Sequence, residues 1–420
     1  MSETTKGRQG WRAFVRSDGF VSVLAVVLSL IVGGILIAVT NKDAQASAAY
    51  FFAQPGDFFR DAWNAASGAY AAMFRSAIFN YEGATATEMF NPLSETLTQA
   101  TPLITASLGV AIAFRAGLFN IGAQGQVIIG AAVAGFVGFR LHLPAPLHIL
   151  LVVLAAALGG AAWGGLAGWL KAKTGAHEVI TTIMLNYVAT YLLAFVLLTP
   201  LMQRTGSSDP VSEVIDPTAV FPQLIPGTTL RVHLGFVIAI LATVFTWWLL
   251  SRSKLGYRLR AVGANPEAAR TAGISVAACT VIAMALSGAM AGLAGASQVS
   301  GTEMFVAEGI AATIGFDAIT VALLARSKPL WVFLAALLFG AFRAGGVGMQ
   351  TDTGTPVDIV LVVQSLIVLF IAAPALTRTI FGIRDRKKAA KAPKAPKSAP
   401  PAPPAETPAA QAATVEGGAA

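Results

Sequence analysis

Apolar residues come in long runs along this chain, and the polar residues between them come in short groups. The first run, residues 20–40, follows a segment carrying Lys6, Arg8, Arg12 and Arg16. Others cover 93–113, a stretch beginning near Phe119, then 148–170, 178–198, 232–250, 275–297, 309–325, 330–345 and 357–376. A bilayer crossing by an α-helix takes about 20 mostly apolar residues. The pattern therefore predicts an all-α, polytopic membrane protein with about ten transmembrane helices, its membrane domain spanning 19–376. Residues 1–18 make a short tail, and 377–420, basic and then rich in Pro and Ala, carry too little apolar surface to fold and are expected to be disordered. Ala44, Gln45 and Ala46 resemble a signal-peptidase site, but the apolar core before them exceeds the roughly 7 to 15 residues of a signal peptide, so an uncleaved first span is expected.

Three polar segments break the rhythm. In 50–79, Phe59, Trp63, Ala66, Tyr70 and Phe74 are spaced by threes and fours and form one apolar face, while Asp57, Arg60, Asp61 and Arg75 oppose crossing. This predicts an external helix lying in the membrane interface. Residues 200–231 have five prolines, three acids and no apolar period, which suits a lid or a surface for an external partner. The third segment, 252–274, is basic and punctuated: Asn265 is placed to cap a helix, Pro266 suits its first position, Glu267 faces the positive end of its dipole and Gly273 ends it. A helix of about two turns does not persist alone in water. It leans either on its own bilayer as a linker or on a cytoplasmic partner as a docking element, and the residues leave both open.

Polar residues inside the runs are the remaining signal. Asn120, Gln124 and Gln126 alternate with Gly122, Gly125, Gly130 and Gly135, and Glu178, Thr182, Asn186 and Thr190 recur every four residues on one helix face. Such residues either hydrogen-bond between helices or line a path for a polar solute. Asp317, two residues after Gly315, is a further path candidate and is better read as the cap of a broken half-helix. The SGAMAGLAGAS segment of 275–297 predicts close helix packing.

Composition agrees: 55% of the 420 residues are hydrophobic and 12% charged, against about a quarter charged in soluble domains. The net charge of +8 gathers at the ends of apolar runs and in the tail, which favours contact with membrane lipids and argues against a nucleic-acid partner. With ten spans both termini share one side, which holds 22 of the 29 Lys and Arg residues. The positive-inside rule then puts both termini and 252–274 in the cytoplasm. Cys279 is the single cysteine, so no intrachain disulfide forms. There is no GxxxxGK[ST], no HExxH and no Cys/His ligand cluster, so the chain is not expected to hydrolyse ATP or to hold a metal or cofactor, and an enzyme is disfavoured. An ion-coupled secondary transporter stays open.

Four segments taken together carry a resemblance: FRAGLFNIGAQGQ (114–126), EVITTIMLNY (178–187), AVGANPEAARTAGI (261–274) and GFDAITVALLARSKPL (315–330). In this order they resemble the permease subunits of bacterial ABC importers of the branched-chain amino acid and simple-sugar superfamily, most closely its nucleoside-type branch, from about residue 93 to 375. The resemblance implies a transport subunit of the bacterial cytoplasmic membrane. Its implied partners are a cytoplasmic ABC ATPase, a second related permease and an extracytoplasmic substrate-binding protein, often a lipoprotein. It implies that Gly263, Asn265, Glu267, Ala268, Ala269 and Gly273 couple to the ATPase, and that 120–126 and 181–187 lie near the translocation path. Nucleosides are the implied substrate, with simple sugars as the alternative. Gln124 departs from the family, which more often has an acid there, and the Lys/Pro/Ala tail lies outside the shared pattern.

Overall fold

The computed structural model describes residues 18–372, and the tails expected from the sequence lie outside the described residues apart from Asp18, which begins the first helix. Helices α1 (Asp18–Thr40) and α2 (Lys42–Ala48) are followed by α3 (Pro55–Ala77), α4 (Ala86–Arg115), α5 (Ala123–Arg140), α6 (Ala145–Thr174) and α7 (Glu178–Leu197). After a long connection come α8 (Leu234–Arg252), α9 (Lys254–Ala264), α10 (Pro266–Thr271) and α11 (Val276–Ala296), which runs into a π-helical turn, Ser297–Glu303. The set closes with α12 (Ile314–Leu324), α13 (Pro329–Thr353) and α14 (Asp358–Ala372).

Among the described residues the chain is helical, with isolated bridges only within the 200–231 connection and from it to Ala307 and His233. Six helices among the described residues are long and apolar enough to cross a membrane, and a seventh counts if α1 and α2, bent by 73° at their junction, form one broken span. The expected ten crossings are thus not all full-length helices. The run at 309–325 yields only the 11-residue α12, which at 1.5 Å per residue covers roughly half a bilayer. The described part of the last run is the 15-residue α14, and α5, at 18 residues, falls outside the six.

Glycines set the closest contacts. Along the α6–α11 seam, a methyl group added at Gly160 would stand 2.1 Å from the Gly288 carbonyl, and one at Gly292 would stand 2.1 Å from that of Ala156. Bare backbone lets the two helices touch, which is how apolar helices associate where lipid gives no hydrophobic drive. α4, buried through most of its length, is wrapped by α11, α13 and α12 and forms the centre of the main core. A second apolar cluster joins Ile37, Ala69, Phe342, Val363 and Ile367 from α1, α3, α13 and α14.

Segment 50–79, expected at the interface, contains α3 packed along α13: Gly345 lies against Met73, Gly348 against Ser76, and Tyr70 donates to the Leu30 carbonyl. The 200–231 connection is stitched to the turn after α11, with Ser212 N–H donating to the Val306 carbonyl at 2.8 Å and Phe221 N–H to that of Ser300 at 2.8 Å.

Candidate functional site

The 252–274 segment folds as two helices meeting at one residue. Ser253 caps α9 by accepting from Gly256 N–H at 2.8 Å. Asn265 ends α9 and starts α10, its Oδ1 accepting from Glu267 N–H at 3.0 Å and Ala268 N–H at 3.1 Å. Pro266 has no N–H and the Asn265 N–H donates to the Ala261 carbonyl, so this cap pairs the two remaining amides of the first turn, a contribution of about 1 kcal/mol. Gly273 follows at φ +77°, a conformation that favours glycine. Ala269 is buried against the core, and the Ile274 N–H donates back to its carbonyl at 3.0 Å. Glu267 and Arg270 point outward and pair with each other, so the outer face of α10 is polar and engages nothing else described. Beside it is a concavity of about 550 Å3 lined by Arg252, Lys254, Arg258, Arg260 and Gly273.

Gly263 ties this corner to the bundle. A methyl there would stand 2.4 Å from the Arg115 carbonyl, and Gly117, at φ +74°, faces it in turn. The α9–α10 corner therefore rests on the turn joining α4 to α5. The sequence pointed to the second helix but not to α9, whose 11 residues include Lys254, Arg258 and Arg260 and two glycines and bury only a narrow strip at Gly256, Leu259 and Val262.

Past that turn the candidate path residues converge. Asn120, Gln126, Thr182 and Asn186 are buried, and Gln124 nearly so. Asn120 Nδ2 donates to Gln126 Oε1 at 3.0 Å and to Ser287 Oγ at 2.8 Å, while its Oδ1 accepts from Gly122 N–H at 2.9 Å. Asn186, from α7, accepts from Gly125 N–H at 2.8 Å and donates to the Ile121 carbonyl at 3.0 Å, capping α5 from outside it. Gln124 does the same for α12, accepting from Gly315 N–H at 2.9 Å and donating to the Ala312 carbonyl at 2.6 Å. Thr182 bonds within its own helix, to the Glu178 carbonyl at 2.7 Å. These amides satisfy backbone groups at helix starts buried inside the protein, where each unpaired group costs about 1–3 kcal/mol.

The half-helix expected near Asp317 is present, but Asp317 is not its cap. Thr313 precedes α12 without a side-chain cap bond, and Gln124 supplies the cap. One turn further in, the Asp317 carboxylate accepts from Thr313 Oγ1 at 3.1 Å and pairs with Arg343 of α13. The apolar run containing Arg343 reads as ending near 345, which would leave this cation at a membrane edge. In the structure α13 continues to Thr353. Another residue that the sequence did not single out is His233, the cap of α8. It is 2% exposed, its Nδ1 accepts from Gly235 N–H at 3.1 Å, and its Nε2 has no described partner. No group of three or more His, Cys, Asp or Glu suited to a metal ion is present among the described residues.

The profile of the branched-chain amino acid transport system permease component matches residues 93–372, from within α4 through α14. The chain belongs to this permease family. Within it, similar proteins include the guanosine ABC transporter permease NupP of Bacillus subtilis, 39% identical over 298 residues that cover 71% of this chain and 85% of NupP. The nucleoside ABC transporter permease NupB of Lactococcus lactis is 36% identical over 67% of this chain and 79% of its own length. The glucose ABC transporter permease TsgB13 of Haloferax volcanii is 34% identical over 83% of this chain and 86% of its own. No solved structure matches the chain. The matched region leaves out α1–α3, which these observations attach to the permease domain through α13 and α14.

Proposed function

We propose that this chain is one membrane subunit of an ATP-driven ABC importer for nucleosides in the bacterial cytoplasmic membrane, with ATP hydrolysed on a separate cytoplasmic subunit. A second related permease completes the path, and an extracytoplasmic binding protein delivers the solute. The observation that carries the reading is the α9–α10 corner. An exposed polar helix, held rigidly on a buried alanine, sits beside a basic concavity and rests on the turn that leads into the buried amide cluster. Such a corner suits a partner that pushes, because load on α10 reaches Gly117 through Gly263 and, three residues later, Asn120.

In this scheme Gly263, Asn265, Glu267, Ala268, Ala269 and Gly273 form the coupling surface. Asn265 and Gly273 set the helix ends, Ala269 and Gly263 seat it, and Glu267 and Ala268 meet the ATPase. Asn120, Gln124, Gln126 and Asn186 hold the half-helices that border the path. Ten apolar segments, α12 among them as a half-membrane helix, and two cytoplasmic termini complete the topology; the 22 Lys and Arg residues on the proposed cytoplasmic side support it. The names of NupP and NupB favour nucleosides, and that of TsgB13 keeps a simple sugar as the second reading.

Calorimetry on the cognate binding protein with guanosine, adenosine and glucose decides between the two. Uptake by vesicles holding the whole assembly tests the mechanism. ATP-dependent nucleoside accumulation is expected; accumulation by this chain alone on a proton or sodium gradient would overturn the reading.

A further inference from the structure

Arg343 lies ~21 Å along α13 from Pro329 and ~15 Å before Thr353 at 1.5 Å per residue. Asp317 lies ~10 Å from the last residue of α12 at the same rise. The end from which both are measured is marked by Arg115, Arg260 and Lys328 beside Trp247 and Trp331, the mixture of cations and indoles that settles at a membrane interface. Against a hydrocarbon core about 30 Å thick, the ion pair sits well inside. It is not sealed within the fold: the Arg343 and Asp317 side chains are 20% and 21% exposed. Phe316, next to Asp317, is 48% exposed, and Val347 and Gln350, four and seven residues after Arg343 on the same face of α13, are also exposed.

A charge facing lipid at this depth costs several kcal/mol, and a salt bridge only partly offsets that. A face that carries one without burying it meets water or protein. We infer that the α12–α13 face bearing Asp317 and Arg343 is a wall of the water-filled translocation path, and that Arg343 is a polar contact for the passing solute. The inference rests on the permease reading above. Both described Arg343 contacts, to Thr313 and to Asp317, use one guanidinium nitrogen, Nη2. The other donors can bond a carbonyl, ring nitrogen or hydroxyl oxygen, while the carboxylate accepts from hydroxyl or amine groups. The pair adds no net charge, which suits a neutral solute rich in donors and acceptors.

Cys279, the only cysteine and buried, allows a clean test. Phe316→Cys and, separately, Val347→Cys are placed in a Cys279→Ala background and expressed with the partner subunits. Vesicles are then treated with a charged, membrane-impermeant maleimide or a lipid-soluble one, and uptake of guanosine and glucose is followed in the same preparation. Leu158→Cys, exposed on the apolar face of α6, reports a lipid-facing site. The charged reagent is expected to label at least one of the two positions. Binding protein loaded with the transported solute at ten times its half-saturating level should slow that labelling about tenfold by mass action. Labelling only by the lipid-soluble reagent overturns the inference in favour of a lipid face. Labelling by neither, with Leu158→Cys reactive, overturns it in favour of a face sealed by a partner. Charged-reagent labelling that solute does not slow overturns the contact role of Arg343. Failure of the wild-type assembly to take up either solute would count against the permease reading instead.

Discussion

Gln124 closes the N-terminus of a helix 191 residues away, its side-chain oxygen accepting from Gly315 N–H at 2.9 Å while its amide donates to the Ala312 carbonyl at 2.6 Å. A side-chain amide carries its acceptor and its donors on separate atoms, so it can serve both groups at once. Replacing it with leucine leaves a buried donor and a buried acceptor unpaired, a loss of about 1–3 kcal/mol for each. We expect Gln124→Leu to lower the melting temperature of the detergent-solubilised protein and to cut uptake. Gln124→Glu keeps the acceptor at the positive end of α12 but turns a carboxylate oxygen toward the Ala312 carbonyl, so it should fall between leucine and wild type. Equal melting of all three would show that the contact contributes nothing.

Coupling is separable from folding at Glu267. Its side chain is 77% exposed and, among the described residues, pairs only with Arg270, and an exposed pair of this kind contributes about 0–1 kcal/mol. Glu267→Arg should therefore insert and melt like wild type, yet lose nucleoside uptake and copurify poorly with the ATPase. Gly273→Val acts differently: no atom lies within 4 Å of an added methyl, but φ is +77°, a region costing a β-branched residue on the order of 1–3 kcal/mol. It should misplace α10 and abolish uptake at normal expression. Full uptake by both variants would return the segment to a linker.

How far the sequence reaches can be judged from these residues. The cap at Asn265 and the stop at Gly273 were legible because capping chemistry is local, as were the long apolar helices α4, α6, α8 and α11. The half-helix at 314–324 was legible in outline, from Gly315 and Asp317, although its run was counted among the ten crossings. Its cap was not, because Gln124 comes from a distant helix and no spacing announces that meeting. Hydrogen bonding and path lining leave the same polar trace in a helix, so neither the Asn120 contacts to Gln126, Ser287 and the Gly122 N–H nor the Asn186 contacts to two backbone groups could be read from spacing. Arg343 was missed because Gly345, Gly346 and Gly348 look like a helix end. Instead they let α3 and α14 pack closely against α13.

The α6–α11 seam gives a graded packing test. Gly288 admits no methyl, the nearest atom being the Gly160 carbonyl oxygen at 2.1 Å, whereas a methyl at Gly165 meets only Ala285 Cβ at 3.6 Å, an ordinary contact. Gly288→Val forces two backbones apart and should cost upwards of about 3 kcal/mol, since the obstacle is main chain and cannot swing away. Loss of folded protein in membranes is expected, read by size-exclusion of the solubilised chain. Gly165→Ala should stay within about 1 kcal/mol of wild type and gains helix propensity. Similar yields for the two would mean that the helices do not meet in this register.

His233 gives the fold a pH dependence of known sign. Burial, helped by the Arg231 charge, pushes its pKa down from 6.5 to about 4, because the imidazolium would lose water without gaining a partner. The Gly235 N–H donates to Nδ1, so the neutral ring carries its proton on Nε2. In the unfolded chain the ring takes up a proton as pH falls through its ordinary value near 6.5; in the folded chain it does not until about 4. The contribution of this neutral residue is thus whole above about pH 6.5 and is lost progressively as the pH falls toward 4. Protons are taken up elsewhere in the protein over part of this range, so the test is a difference. His233→Asn keeps a capping acceptor for Gly235 but cannot titrate. Melting temperatures of wild type and variant should converge as pH drops from 7.5 to 4.5, even if the variant starts lower. Parallel profiles across that range would show that His233 takes up its proton alike in both states.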